Sequence, residues 1–241
     1  MQYELINFNH HQNNLALFKC EKNKVSKYHK ISLSEKSNIL IENEKNGYSW
    51  FFNKLDKKDN SRLYKNYYYE IIVPEFKGSL FSSDAIITGN EKIILKFISF
   101  YRRLWFSKNN FSIHGDLALC NVIKQNHDQF MIIDWEHFHF ADFDYFGYDI
   151  VNLLFISLHH EFKGITKIND RILLFINGCF KTLFKDIPSQ NKIINSPFKN
   201  SSKYLKKFES KYRLNVPIEN KFIISRYNFD QLEKLDCSIK Y

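Results

Sequence analysis

The sequence predicts an α+β fold, with short strands gathered near the N-terminus and helices filling most of the rest. Three observations predict it. Tyr3 to Phe8, Leu15 to Lys19 and Val25 to Ile31 carry period-two patches, the signature of half-buried strands. From Glu91 to Phe106, and again beyond Asp149, apolar residues recur at helical spacing. Between them lies Phe111 to Glu136, where a loop runs through a polar turn, Lys124 to Gln129, into a short apolar strand, Met131-Ile132-Ile133. At 241 residues the chain is long enough for one large domain or two lobes sharing a cleft.

Composition excludes several classes. The apolar fraction of 44% supports a packed core. The formal net charge is +9, but the lysines are scattered among acids, with the densest patches at Lys54 to Lys58 and Lys203 to Lys211. Such faces solvate the surface, and no base-reading motif or clustered basic helix accompanies them, so no specific nucleic-acid partner is expected. The four cysteines, Cys20, Cys120, Cys179 and Cys237, form no C-x-x-C pair, which speaks against a zinc site or a disulfide framework. The N-terminus lacks a basic region followed by an apolar run, so no signal peptide is expected. No window approaches 18 apolar residues, so no membrane span is expected.

The chemistry concentrates in FSIHGDLALCNVIKQNHDQFMIIDWE. His114, Asp116 and Asn121 form an H-x-D with an Asn five positions after the Asp, and the following strand ends on a second carboxylate, Asp134. Phosphoryl transfer needs this set. One carboxylate orients and deprotonates the attacking hydroxyl, while an Asn and an Asp hold Mg²⁺ against the phosphates. HGDLALCN followed by IIDWE resembles the aminoglycoside phosphotransferase and choline kinase family, small-molecule relatives of protein kinases. Gly147-Tyr148-Asp149-Ile150 is similar to that family's step into the next helix.

The resemblance implies a role for each element in order. Residues 1 to about 33 would build a nucleotide-clamping sheet. The chain has no glycine before Gly47, so the turn at His10 to Asn14 would have to cover the phosphates without a glycine-rich loop. Ser32-Leu33-Ser34-Glu35 fits a capping box opening a helix that carries Glu42 and Glu44. In kinase-like folds a strand lysine contacts phosphate and is held by a glutamate of this helix. Lys30 and Glu44 are the preferred pair, Lys27 and Glu42 the competing one. Strand parity separates the lysines, since Tyr28 and Lys30 share one face and Lys27, His29 and Ile31 the other.

Tyr67 to Val73 is β-prone and ends at Pro74. It leads to a hinge whose backbone, with Ile72, Val73 and Glu75, would meet adenine. Ser82-Ser83-Asp84 precedes the helix from Glu91 to Phe106. His137 and His139 complete no ligand set and are read as core or rim histidines. Asp149 would brace the catalytic-loop backbone from the start of the helix Asp149 to Leu158. Helices are further expected at Arg171 to Leu183, Ser201 to Tyr212 and Phe229 to Leu235, punctuated by Pro188, Pro197 and Pro217.

The resemblance therefore implies a two-lobe protein-kinase-like fold, with a small lobe at residues 1–73 and a larger helical lobe at 74–241. It implies a cytoplasmic ATP- and Mg²⁺-dependent phosphotransferase acting on a hydroxyl of a small molecule. A sugar of a cell-surface polysaccharide or an amino alcohol is the preferred acceptor. Asp116 would be the base, Asn121 and Asp134 the metal ligands, His114 a brace, and Glu136 a second metal or substrate contact. The rival readings are an aminoglycoside kinase and a pseudokinase-like nucleotide-binding module without turnover. The missing glycines speak for the last of these, and the intact Asp116, Asn121 and Asp134 against it.

Overall fold

The computed structural model describes residues 2–9, 14–81, 91–107, 109–125, 129–161 and 170–187. The turn at 10–13, Ser82-Ser83-Asp84, and the helices expected at 201–212 and 229–235 with their prolines lie outside the described residues. Two compact units are present. The first is drawn from Met1–Ser79, Ser112–Gly115 and Ile123–Phe140, and the second from the described parts of Leu80–Phe111, Asp116–Val122 and Ala141–Tyr241. Besides residues up to Ser79, the first unit thus also takes in the two segments that carry His114 and Asp134.

The first unit is built on an antiparallel sheet of β1 (Gln2–Asn9), β2 (Leu15–Lys22), β3 (Val25–Ser32), β4 (Arg62–Lys65) and β5 (Tyr69–Pro74), in the order β1-β2-β3-β5-β4. β2 and β3 join through Asn23 and Lys24, both at positive φ (53° and 63°). Two such residues make the hairpin turn whose twist matches the strands. Lys30 pairs with Leu17 on one side and Ile71 on the other. The expected alternation therefore places Tyr28, Lys30 and Ser32 on one face.

Helix α1 (Asn38–Lys54) packs on β3, β4 and β5. Its buried positions, Leu40, Ile41, Glu44, Gly47, Tyr48, Phe51 and Phe52, recur every three or four residues and form one stripe. Its entry corrects the sequence reading. The capping box is formed by Ser34 and Ser37, around a short 3₁₀ turn at Glu35–Ser37, and not by Ser32 and Glu35. Ser32 is the last residue of β3, and its hydroxyl accepts the Tyr69 amide at 2.7 Å and donates to Asn38 Oδ1 at 2.5 Å. A serine committed to tying β3 to β5 cannot also cap the helix. β4 was not legible, because its positions are mostly exposed and show no apolar alternation.

Within the first unit, β7 (Ser112–Ile113) pairs with β10 (His139–Phe140), Ile113 opposite His139. β9 (Phe130–Ile132) precedes Asp134 and is wholly buried. Among the described residues, the remaining strands are the short β6 (Ser79–Leu80) and β8 (Val122–Lys124). In the second unit, α2 (Glu91–Trp105), α3 (Tyr148–Glu161) and α4 (Asp170–Leu183) pack on apolar faces, with Ile94, Phe97, Ile98 and Tyr101 of α2 and Ile176, Cys179 and Phe180 of α4 fully or nearly fully buried. Phe106, Phe111, Phe143 and Phe146 form a ring cluster beside them. Gly147 (φ +89°) opens α3 where a Cβ would lie 2.8 Å from the Phe184 ring, so both its backbone and the space require glycine. Among the described residues no helix is long and apolar enough to cross a membrane.

Candidate functional site

Lys30 is the centre of the chemistry in the first unit. Its Nζ lies 2.6 Å from Glu44 Oε2, 2.5 Å from Asp134 Oδ1 and 3.2 Å from Glu136 Oε2. The structure thus brings together four residues named from sequence, separated by up to 106 positions. Neither Lys27 nor Glu42 takes part. Lys27 lies on the opposite face of β3, and Glu42 pairs with Lys65 of β4.

The electrostatics of this cluster are unbalanced, since one ammonium faces three carboxyl groups whose oxygens lie within 4.8 Å of one another. Burial would push Lys30 down, but Asp134, Glu44 and Glu136 together hold it well above the usual lysine range. Burial raises Glu44 to about 7, against the pull of Lys30. Burial also acts to raise Glu136, but Lys30 and His137 more than offset it, and its carboxyl lies below the usual range. His137 Nε2 is 3.3 Å from Glu136 Oε1. The side chains of Glu44 and Glu136 are 5% and 10% exposed, whereas that of Asp134 is 41% exposed. Asp134 is therefore the acid of this set that a ligand can reach. Hard oxygen donors outnumbering their cation are the donor set that suits Mg²⁺.

The turn that presents Asp134 is held from several sides. Asp134 has φ +65°, a left-handed conformation that Asp tolerates better than most residues. Trp135 is fully buried, its indole N–H donates to Ile132 O at 2.9 Å, and its ring is surrounded by Tyr48, Trp50, Phe51 and Phe138. Burial raises the Tyr48 hydroxyl well above its usual range, with a hydrogen bond from the Asp134 backbone acting the other way. His114 is fully buried beside Trp135, with ring centroids 4.6 Å apart. Its Nε2 is 2.9 Å from Ile133 O, so that nitrogen carries the proton and donates to the carbonyl. Burial lowers its pKa to about 4, which keeps the ring neutral. Gly115 has φ +89°, and a Cβ there would lie 2.4 Å from His137 O. That approach accounts for the glycine between His114 and Asp116.

In the second unit, Asp116 and Asn121 flank a loop anchored by the buried Leu117 and Leu119. A 3₁₀ turn at Leu119–Asn121 brings the Asn back, and its Nδ2 donates to Asp116 O at 3.1 Å. This bond fixes the spacing of five, because the amide reaches back across one turn to the residue it serves. Asp149 is fully buried at the start of α3, and the Tyr101 hydroxyl donates to it at 3.2 Å.

The residues named for the hinge lie on β5 and just after it. Ile72 is mid-strand, opposite His29 and Arg62, and Val73 is opposite Tyr28. The Glu75 amide donates to Ser26 O at 3.1 Å, and its carboxylate pairs with Lys19 at 3.0 Å. Sequence reasoning missed His137 as a partner of Glu136 and Tyr101 as a partner of Asp149. Tyr101 and Asp149 are 48 positions apart, and nothing local marks them, whereas His137 and Glu136 are neighbours whose pairing only the fold of the turn reveals.

No protein-family model matches the sequence, and no curated protein sequence matches it. Solved structures do match. WaaP in complex with acyl carrier protein superposes with a TM-score of 0.55 at 11% identity, over 88% of this chain and 89% of that one. A Plasmodium vivax ethanolamine kinase gives 0.54 at 13% identity, over 97% and 80%. APH(2")-IIa, in a ternary complex with streptomycin and ATP, gives 0.53 at 13% identity, over 96% and 93%. At these identities the likeness concerns architecture. The chain has the two-lobe, protein-kinase-like α+β fold of these structures, in agreement with the sequence resemblance.

Proposed function

We propose that this protein is a small-molecule kinase that transfers the γ-phosphoryl group of ATP to a hydroxyl. The observation that carries the reading is the buried Lys30–Glu44 pair set against the half-exposed Asp134. Lys30, oriented by Glu44, contacts the phosphates as a point charge. Asp134 and Asn121 would supply oxygen ligands for Mg²⁺, which would neutralise charge on the phosphates. Asp116 accepts the proton of the acceptor hydroxyl. Asn121 also holds the Asp116 main chain. His114 and Asp149 are structural braces. Glu136 holds Lys30, and a second metal or substrate contact is its alternative role. Adenine meets the backbone of the β5 end and hinge, at Ile72, Val73 and Glu75. Residues 1–73 act as the nucleotide clamp and 74–241 as the catalytic and substrate lobe, working in the cytoplasm.

The acceptor is a compact polyol or amino alcohol, with a sugar of a cell-surface polysaccharide preferred. The ethanolamine kinase among the structural neighbours supports the amino alcohol class, and the ATP complex of another supports the nucleotide. The test is ATP consumption with a panel of sugars and amino alcohols, run on wild type and Asp116→Asn. One acceptor should stimulate consumption, and the variant should lose on the order of 10²–10⁴ in rate while still binding Mg·ATP. A variant within about threefold of wild type removes Asp116 from the mechanism, since loss of a base costs far more.

A further inference from the structure

Asn43 stands one position before Glu44 on α1, and its side-chain amide donates to the main-chain carbonyl of Glu136 at 3.1 Å. One turn on, Gly47 leaves room for Trp135, and Tyr48 and Phe51 pack on the Trp135 ring at 6.5 and 5.4 Å. The helix that carries Glu44 therefore holds the 134–136 turn at several points along one face. The contact made by Asn43 differs in kind from the others. Ring packing fixes a side chain, whereas a hydrogen bond to the Glu136 carbonyl fixes the peptide plane from which the Glu136 side chain departs. Two residues earlier Asp134 sits at φ +65°, a conformation that persists only where its surroundings over-determine it. Asn43 is half-buried, and this amide bond goes to a main-chain carbonyl and not to a carboxylate.

We propose that Asn43 is a positioning residue for the acids around Lys30: by clamping the Glu136 carbonyl to α1, it keeps Glu44, Asp134 and Glu136 in one mutual geometry. The helix and the acid-bearing turn then behave as one rigid element, and the lysine does not have to recruit its partners when a ligand arrives. This rests on the phosphotransferase reading for its functional consequence, but its mechanical part stands on the apo protein.

The test uses Asn43→Leu in the full chain. Leucine keeps the branched outline, is a better helix former and removes the donor. In a calorimetric Mg²⁺ titration of ATP binding, the apparent Mg²⁺ dissociation constant should rise about 10- to 100-fold, the usual effect of losing an outer support of a metal ligand. The melting temperature of the free protein should not fall. Amide exchange should quicken at residues 134–138, with the Phe138 amide, which donates to Trp135 O at 2.9 Å, as the reporter. Unchanged exchange at 134–138 overturns the proposal, and so does unchanged Mg²⁺ dependence alongside a wild type that responds to Mg²⁺. A lowered melting temperature with uniformly faster exchange makes Asn43 a general structural residue and also overturns it. A wild type whose ATP binding ignores Mg²⁺ overturns the phosphotransferase reading instead, and local exchange then decides the clamp.

Discussion

A Cβ at Gly47 would lie 2.5 Å from Cβ of Trp135, so α1 approaches the 134–136 turn as closely as a helix can. On an open helix, alanine in place of glycine stabilises by about 1 kcal/mol. Here the overpacking of a filled site, about 1–3 kcal/mol, acts against that gain and exceeds it. Gly47→Ala should therefore lower the urea midpoint. A raised midpoint would mean that the helix shifts away from Trp135 without cost.

Lys30→Met should raise the KM for ATP and lower kcat, because it removes the phosphate contact and leaves Glu44, Asp134 and Glu136 facing one another. Lys27→Met should change neither, since Lys27 lies on the other face of β3. Steady-state kinetics on the two variants decide between the lysines, and an effect confined to Lys27→Met would refute the assignment.

Asp134→Asn should weaken Mg²⁺-dependent nucleotide binding and leave metal-free binding nearly intact. Asparagine is the informative replacement, since it accepts φ +65° as readily as aspartate and removes only the charge. Alanine at that position adds backbone strain and confounds the two effects. Equal Mg·ATP affinity by calorimetry would make Asp134 a strand-end residue only.

His114 predicts a pH dependence of stability. Its folded pKa, about 4, lies below its ordinary value of 6.5 because the ring is buried. Between these values the unfolded chain holds a proton that the folded chain does not, so stability is full above pH 6.5 and is lost as pH falls towards 4. The loss attributable to this ring is on the order of 3 kcal/mol. Denaturation of wild type and His114→Asn at pH 7 and 4.5 measures it, and parallel pH profiles for the two proteins would rule it out.

Much of this was legible because it is periodic or local. Alternation exposed the strands of the sheet, and parity on β3 showed that only one of Lys27 and Lys30 could line the nucleotide face, while the preference for Lys30 and Glu44 came from the resemblance. The spacing from Asp116 to Asn121 is also local, being one loop turn closed by a side-chain amide. What escaped has no local signature. β4 is mostly exposed and shows no alternation. Ser32 and Ser34 both satisfy a capping pattern, and only the pairing of β3 with β5 shows which serine is occupied elsewhere. The Asn43–Glu136 bond spans 93 positions, and its acceptor is a main-chain atom that every residue carries.

That last property recurs. Asn43 donates to the carbonyl of Glu136, His114 to that of Ile133, Trp135 to that of Ile132 and Asn121 to that of Asp116. Each of these donors depends on a peptide oxygen, which no substitution of the accepting residue removes. The accepting half of the scaffold is therefore immune to point mutation. The donors, the carboxylates and the glycines at 47, 115 and 147 are constrained, whereas these bonds place no demand on the accepting side chains. An architecture shared with solved structures at 11–13% identity is an outcome such a division of labour allows.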